Sequence, residues 1–152
     1  MTASLAGKVA IATGGASGLG RGIVERLVDA GPEVVIADLN DHDGDQLASD
    51  CGSRAWFRHV DVAVVEDVRG VVQAAANRFG RLDVMLNNRG ISSSMHRSFL
   101  DDDLAHFSKV MSVNVLGVMR VPGRPHIIRP PMTAAASSTS RRSVGCKPVA
   151  GS

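Results

Sequence analysis

Eight residues near the start of the chain, Thr13-Gly14-Gly15-Ala16-Ser17-Gly18-Leu19-Gly20, follow the apolar run Val9–Ala12 and precede a helical pattern. A strand that turns through glycines into a helix N-terminus has the geometry needed to hold a diphosphate. Backbone N–H groups point at the anion, the helix dipole favours its charge, and residues without side chains allow close approach. The spacing is T-G-x-x-x-G-x-G rather than G-x-G-x-x-G, and glycine turns of this kind also serve other nucleotide binders. Asp38 lies 18 residues after Gly20, at the end of a second apolar run. A carboxylate there can accept hydrogen bonds from both ribose hydroxyls of an adenosine and repel a 2′-phosphate, which favours NAD over NADP. An exposed turn aspartate is the alternative reading.

Two further strand ends carry polar residues. Asp61-Val62 suits the edge and face of an adenine, although an ordinary turn has the same composition. Asn87-Asn88-Arg89-Gly90 offers two amides able to bond neighbouring strands and a cofactor ribose, with Gly90 letting the backbone pass close. Asn114 falls three residues after Met111 and seven after Phe107. That spacing puts it on the apolar face of its helix, where a buried amide must be hydrogen-bonded.

These residues have to be positioned by the elements between them. The pattern predicts strands over Lys8–Thr13, Glu33–Ala37, Ala55–Val60 and Leu82–Leu86. It predicts helices over Gly20–Asp29, Asp41–Cys51, Val64–Phe79 and Ser98–Val118, the last with Leu104, Phe107, Met111, Val115 and Val118 on one side. Gly31, followed by Pro32, and Gly80 close two of the helices. Four strands alternating with helices, each strand nearly continuous in apolar residues, indicate an α/β fold with a parallel sheet covered on both faces. Right-handed crossovers then bring every strand's C-terminal end to one edge, so the candidate residues must converge.

In this order and spacing T-G-G-A-S-G-L-G, Asp38, Asp61-Val62, N-N-x-G and the later V-N-V-L-G at Val113–Gly117 resemble the short-chain dehydrogenase/reductase family over about residues 5–118. The resemblance implies a Rossmann-type domain and interconversion of small alcohols and ketones with NAD(P)(H). By position, Gly14, Ser17, Gly18, Leu19 and Gly20 would hold the diphosphate side, and Asp38 and Leu39 the adenosine ribose. Asp61 and Val62 would hold the adenine, and Asn88 and Gly90 the nicotinamide ribose region. Asn114 matches the asparagine that orders a proton-relay water in the family. Arg89 departs from the pattern, since the family carries a small residue there, usually Ala. A guanidinium at that point either obstructs the cofactor or points away, and it must find an anion or water.

The remainder of the chain breaks with its first part. Residues 1–118 hold 11 Lys/Arg and 15 Asp/Glu, a balance of −4; residues 119–152 hold 6 Lys/Arg, no acid and five of the six prolines, a balance of +6. This divides the chain into a partial dinucleotide-binding domain, 1–118, and a tail, 119–152, expected to be disordered. The tail lacks the aromatics and motifs of a nucleic-acid binder. No apolar run approaches the roughly 18 residues of a membrane span. The N-terminus has no signal-peptide pattern, and Cys51 and Cys146 lie in unlike contexts, so two free thiols in the cytoplasm are expected. His42, His59, His96, His106 and His126 show no metal-ligand spacing. Asp101-Asp102-Asp103 suits a helix's first turn.

The family's chemistry uses a Tyr, a Lys four residues on and an upstream Ser. The 152 residues contain no tyrosine, so catalysis is expected to be impaired. Read out of frame, Ala135–Gly145 permits S-I-I-N-I-A-S-I-G-G, which looks like the family's fifth strand with its serine. That suggests truncation or a frameshift near residues 118–124. A fourth strand without its fifth neighbour leaves an apolar edge open to self-association. The alternatives to an oxidoreductase are a non-catalytic dinucleotide-binding module or an interaction fragment.

Overall fold

The computed structural model describes residues 5–92 and 105–120. The elements are β1 (Val9–Thr13), α1 (Gly18–Ala30), β2 (Glu33–Asp38), α2 (Asp41–Cys51), β3 (Ala55–His59), α3 (Val65–Phe79), β4 (Val84–Asn87), α4 (Ala105–Met111) and α5 (Gly117–Met119). A 3-10 turn, Gly52–Arg54, leads into β3, and a π-helical turn, Ser112–Leu116, joins α4 to α5. Every predicted strand and helix with described residues is present, with ends shifted by one or two residues outside the last helix.

The four strands form one parallel sheet in the order β3-β2-β1-β4. The reversal of winding falls between β1 and β4, where the chain passes from one side of β1 to the other. Alternation along the strands divides the core into two layers. Val9, Ile11, Val35 and Ala37 face one side with Val68, Val71 and Ala75 of α3 and Val113. Ala12, Val34 and Ile36 face the other with Val24 and Val28 of α1 and Leu47 of α2. Each Val, Ile or Leu among these taken out of water contributes about 1.5–3 kcal/mol. The central strands β1 and β2 are buried almost throughout, whereas β3 and β4 are partly exposed. Among the described residues β4 pairs only with β1.

Asp83 fastens β4 to β1 at the opposite edge from the glycine turn. Its N–H donates to Val9 O, its Oδ2 accepts from Val9 N–H at 2.9 Å, and Lys8 and Arg81 pair with its carboxylate.

Two expectations are corrected. The helix containing Asn114 is interrupted by a π turn and does not bury the expected face: Phe107 and Met111 before or at the turn and Val115 and Val118 within and after it are all exposed, and Val113 and Gly117 are buried instead. Met119 is helical, and Arg120 donates to Val62 O and Ser112 O. Cys51 is disulfide-bonded rather than free. The inference to a reducing compartment loses that support. The expectations for His96, Asp101–Asp103, the helix start at 98–104, Cys146, His126 and the tail at 121–152 lie outside the described residues. No helix among the described residues is long and apolar enough to cross a membrane.

Candidate functional site

The C-terminal ends of the four strands meet at one edge, as parallel winding requires. Thr13, the last residue of β1, ties two of them together. Its Oγ1 donates to Leu86 O at 3.1 Å and accepts from Asn88 N–H at 3.1 Å and Arg89 N–H at 3.2 Å. Asn88 then donates through Nδ2 to Gly14 O at 3.1 Å, so the loop after β4 is stitched to the glycine turn.

The glycine turn is close-packed behind and open in front. A Cβ on Gly20 would lie 1.8 Å from Gly14 O and 2.6 Å from Asn88 Nδ2, so only glycine permits this approach of α1 to the turn. Gly18 has φ +53°, and a Cβ there would meet nothing within 4 Å. The first N–H groups of α1 have no intrahelical acceptor, and Ser17 makes no side-chain cap bond to them. Donors aimed outward from a glycine turn fit a diphosphate.

Asp38 is buried, at 3 % exposure, and is not the exposed turn aspartate that the sequence left open. Its Oδ2 accepts from Ala16 N–H at 3.1 Å; its Oδ1 accepts from Leu39 N–H at 2.7 Å and Asn40 N–H at 3.3 Å. The carboxylate therefore sits directly beside the glycine turn. Arg89 reaches it from the far side of β1, with Nη1 3.7 Å from Oδ1. The guanidinium has found an anion.

A cavity of about 680 Å³ opens beside this pair, lined among others by Leu39, Asp61, Val62, Arg89, Ile91 and Val113. Asp61 is held at its mouth: its N–H donates to Asp67 at 2.9 Å, and its Oδ1 accepts from Ala63 N–H at 2.8 Å. Val62 is buried against Gly117, where a Cβ would lie 3.1 Å from the valine methyl. Asn114 is exposed rather than buried, on the same outward side as Phe107 and Met111, yet both amide atoms are used. Its Oδ1 accepts from Ile91 N–H and its Nδ2 donates to Ile91 O, each at 2.9 Å. Gly90 lies next to this clamp. Leu19 stands apart, 76 % exposed, on a separate apolar depression with Ile23 and Leu27.

The sequence reading singled out no role for Thr13 or for the Ala16–Asp38 bond. Thr13 carried one signal, a hydroxyl ending an otherwise apolar strand. The Arg89–Asp38 contact joins residues 51 positions apart and has no local signature.

A match to the short chain dehydrogenase family spans residues 8–124. The chain belongs to this family. Among its relatives, maize (Zea mays) sex determination protein tasselseed-2 is 46% identical over 121 residues, which is 77% of this chain and 36% of that protein. The Drosophila melanogaster 3-hydroxyacyl-CoA dehydrogenase type-2 is 37% identical over 117 residues, 74% of this chain and 46% of its own. A crystal structure of Brucella melitensis 3-ketoacyl-(acyl-carrier-protein) reductase complexed with NADH superimposes with a TM-score of 0.72 at 35% identity, covering 77% of this chain and 48% of that one. This short-chain dehydrogenase chain thus spans less than half the length of these relatives. Its parallel sheet and flanking helices are Rossmann-like.

Proposed function

We propose that this chain is the nucleotide-binding part of an NAD(H)-dependent oxidoreductase of the alcohol–carbonyl class, and that the 152 residues bind dinucleotide without efficient turnover. One observation carries the reading: the glycine turn, Asp38, Asp61-Val62 and Asn88–Gly90 come together at a single sheet edge beside a cavity. Gly14, Ser17, Gly18, Leu19 and Gly20 would hold the diphosphate side. Asp38 and Leu39 would hold the adenosine ribose, Asp61 and Val62 the adenine, and Asn88 and Gly90 the nicotinamide ribose region. When bound, the dinucleotide supplies hydride chemistry. The protein's own part is to orient it, exclude water along Val62 and Ile91, and neutralise the phosphates with backbone donors.

The carboxylate of Asp38 supports NAD over NADP. The NADH bound in the Brucella neighbour supports a nicotinamide dinucleotide generally. Asn114, which would order the relay water in an intact enzyme, here also braces the chain at Ile91. The absence of tyrosine from the 152 residues favours binding without turnover, and small alcohols or ketones would be the substrates of the complete enzyme. Residues 1–118 form the binding domain in this reading, 119–152 a separate tail, and the outer edge of β4 a surface for self-association.

Titrating NADH fluorescence against the full chain tests the proposal. Saturable binding with no oxidation of secondary alcohols and no reduction of ketones is the expected result. Absence of binding leaves only an interaction fragment. Sequencing the coding DNA tests the frameshift: a single-base shift should restore an open frame containing Y-x-x-x-K.

A further inference from the structure

Arg89 begins on one side of the nucleotide crevice and ends on the other. Its backbone is fixed beside the glycine turn, with N–H on Thr13 Oγ1, and a Cβ on Gly14 would lie 3.0 Å from Arg89 Cα. Its guanidinium nevertheless reaches Asp38 at the end of β2. β4 and β2 flank β1 on opposite sides, so the side chain crosses the C-terminal end of β1. That path lies between the turn proposed to hold the diphosphate and the carboxylate proposed to hold the ribose.

Asp38 has little accepting capacity left. Three backbone N–H groups, from Ala16, Leu39 and Asn40, already use its two oxygens, and Arg89 takes a further approach to Oδ1. A ribose hydroxyl seeking that carboxylate therefore competes with the guanidinium. We propose that Arg89 is a residue setting nucleotide affinity and specificity, a latch across the adenosine subsite that dinucleotide must displace from Asp38. This rests on the cofactor reading above. At 3.7 Å the pair is longer than a hydrogen bond, and the Arg89 side chain is 29% exposed. Partly solvated pairs of this kind are weak, so the latch lowers affinity without abolishing it. It also blunts discrimination between the two dinucleotides, because a guanidinium beside Asp38 offsets the carboxylate's repulsion of a 2′-phosphate.

The test is equilibrium binding of NADH and of NADPH to the full chain, for wild type, Arg89→Ala and Arg89→Gln, each checked for folding by far-UV circular dichroism. The second variant keeps most of the side chain's bulk and removes its charge. Both should bind NADH about two- to fivefold tighter than wild type, the scale of a weak ion pair. NADPH should gain less, widening the preference for NADH. NADH affinity unchanged or lowered in both variants, with wild type still binding, overturns the latch alone. A selective loss of NADPH binding identifies Arg89 as a 2′-phosphate ligand and also overturns it. Failure of wild type and both variants to bind either nucleotide refutes the cofactor reading, and the latch falls with it.

Discussion

Replacing Gly20 by alanine probes the tightest packing in the site. The new methyl would lie 1.8 Å from Gly14 O and 2.6 Å from Asn88 Nδ2, where contacts under 3.0 Å are essentially never seen. Relief requires α1 to retreat by roughly 1 Å, or the Asn88–Gly14 hydrogen bond of 3.1 Å to break. Overpacking costs about 1–3 kcal/mol and the lost bond about 1 kcal/mol more. The sum, about 2–4 kcal/mol, is a large fraction of the roughly 5–15 kcal/mol that holds a small domain together. It corresponds to a fall in melting temperature on the order of 10–25 °C. Gly22→Ala is the control, since a Cβ there meets nothing within 4 Å and lies in the same helix; it should stabilise by about 0.5–1 kcal/mol. Thermal and urea unfolding followed by circular dichroism measure both. Gly20→Ala within about 0.5 kcal/mol of wild type would refute the packing argument.

Three further outcomes follow from named contacts. Asn114→Ala removes both bonds to Ile91 and should cost about 1–2 kcal/mol, seen as lost hydrogen-exchange protection at the Ile91 amide; unchanged protection would deny the clamp. For Asp83, burial pushes the carboxyl upward, but hydrogen bonds from Arg81, Val9 and Lys8 outweigh it and leave the pKa below the usual 3.8. Its stabilisation is therefore present above that value and fades as pH falls through the folded-state value, so the destabilisation by Asp83→Asn should shrink in acid; a gap independent of pH contradicts this. The hydrogen bond that the Asp41 carboxylate accepts from His59 Nδ1 raises the His59 pKa above 6.5. Its NMR titration midpoint should drop toward 6.5 in Asp41→Asn, and an unmoved midpoint would show that the pair does not form in solution.

The elements and their order were legible because apolar strand runs and glycine stops are local signals. Val9–Ala12 and Val34–Ala37 could be little else than buried parallel strands, and Gly31 and Gly80 end their helices where expected. The last helix departs from its 3.6-residue pattern because the apolar stripe ending at Val118 is not the packed face: Phe107 and Met111 are already exposed ahead of the π turn, and of its described residues only Val113 and Gly117 reach the core. Asn114 is exposed with that stripe, and its amide is satisfied by Ile91. At the site, Asp38 was found from its place at a strand end. Its bond to Ala16 and its contact with Arg89 depend on how three loops stack, which no spacing within one loop encodes.

The central claim is that four strand-end segments form one nucleotide surface. Backbone amide shifts in an NMR titration of the full chain with NADH test it most directly. The account predicts that Gly14–Gly20, Asp38–Leu39, Asp61–Val62 and Asn88–Gly90 move together with one binding curve. Shifts confined to the outer face of α3, or no saturable shifts at all, would contradict it.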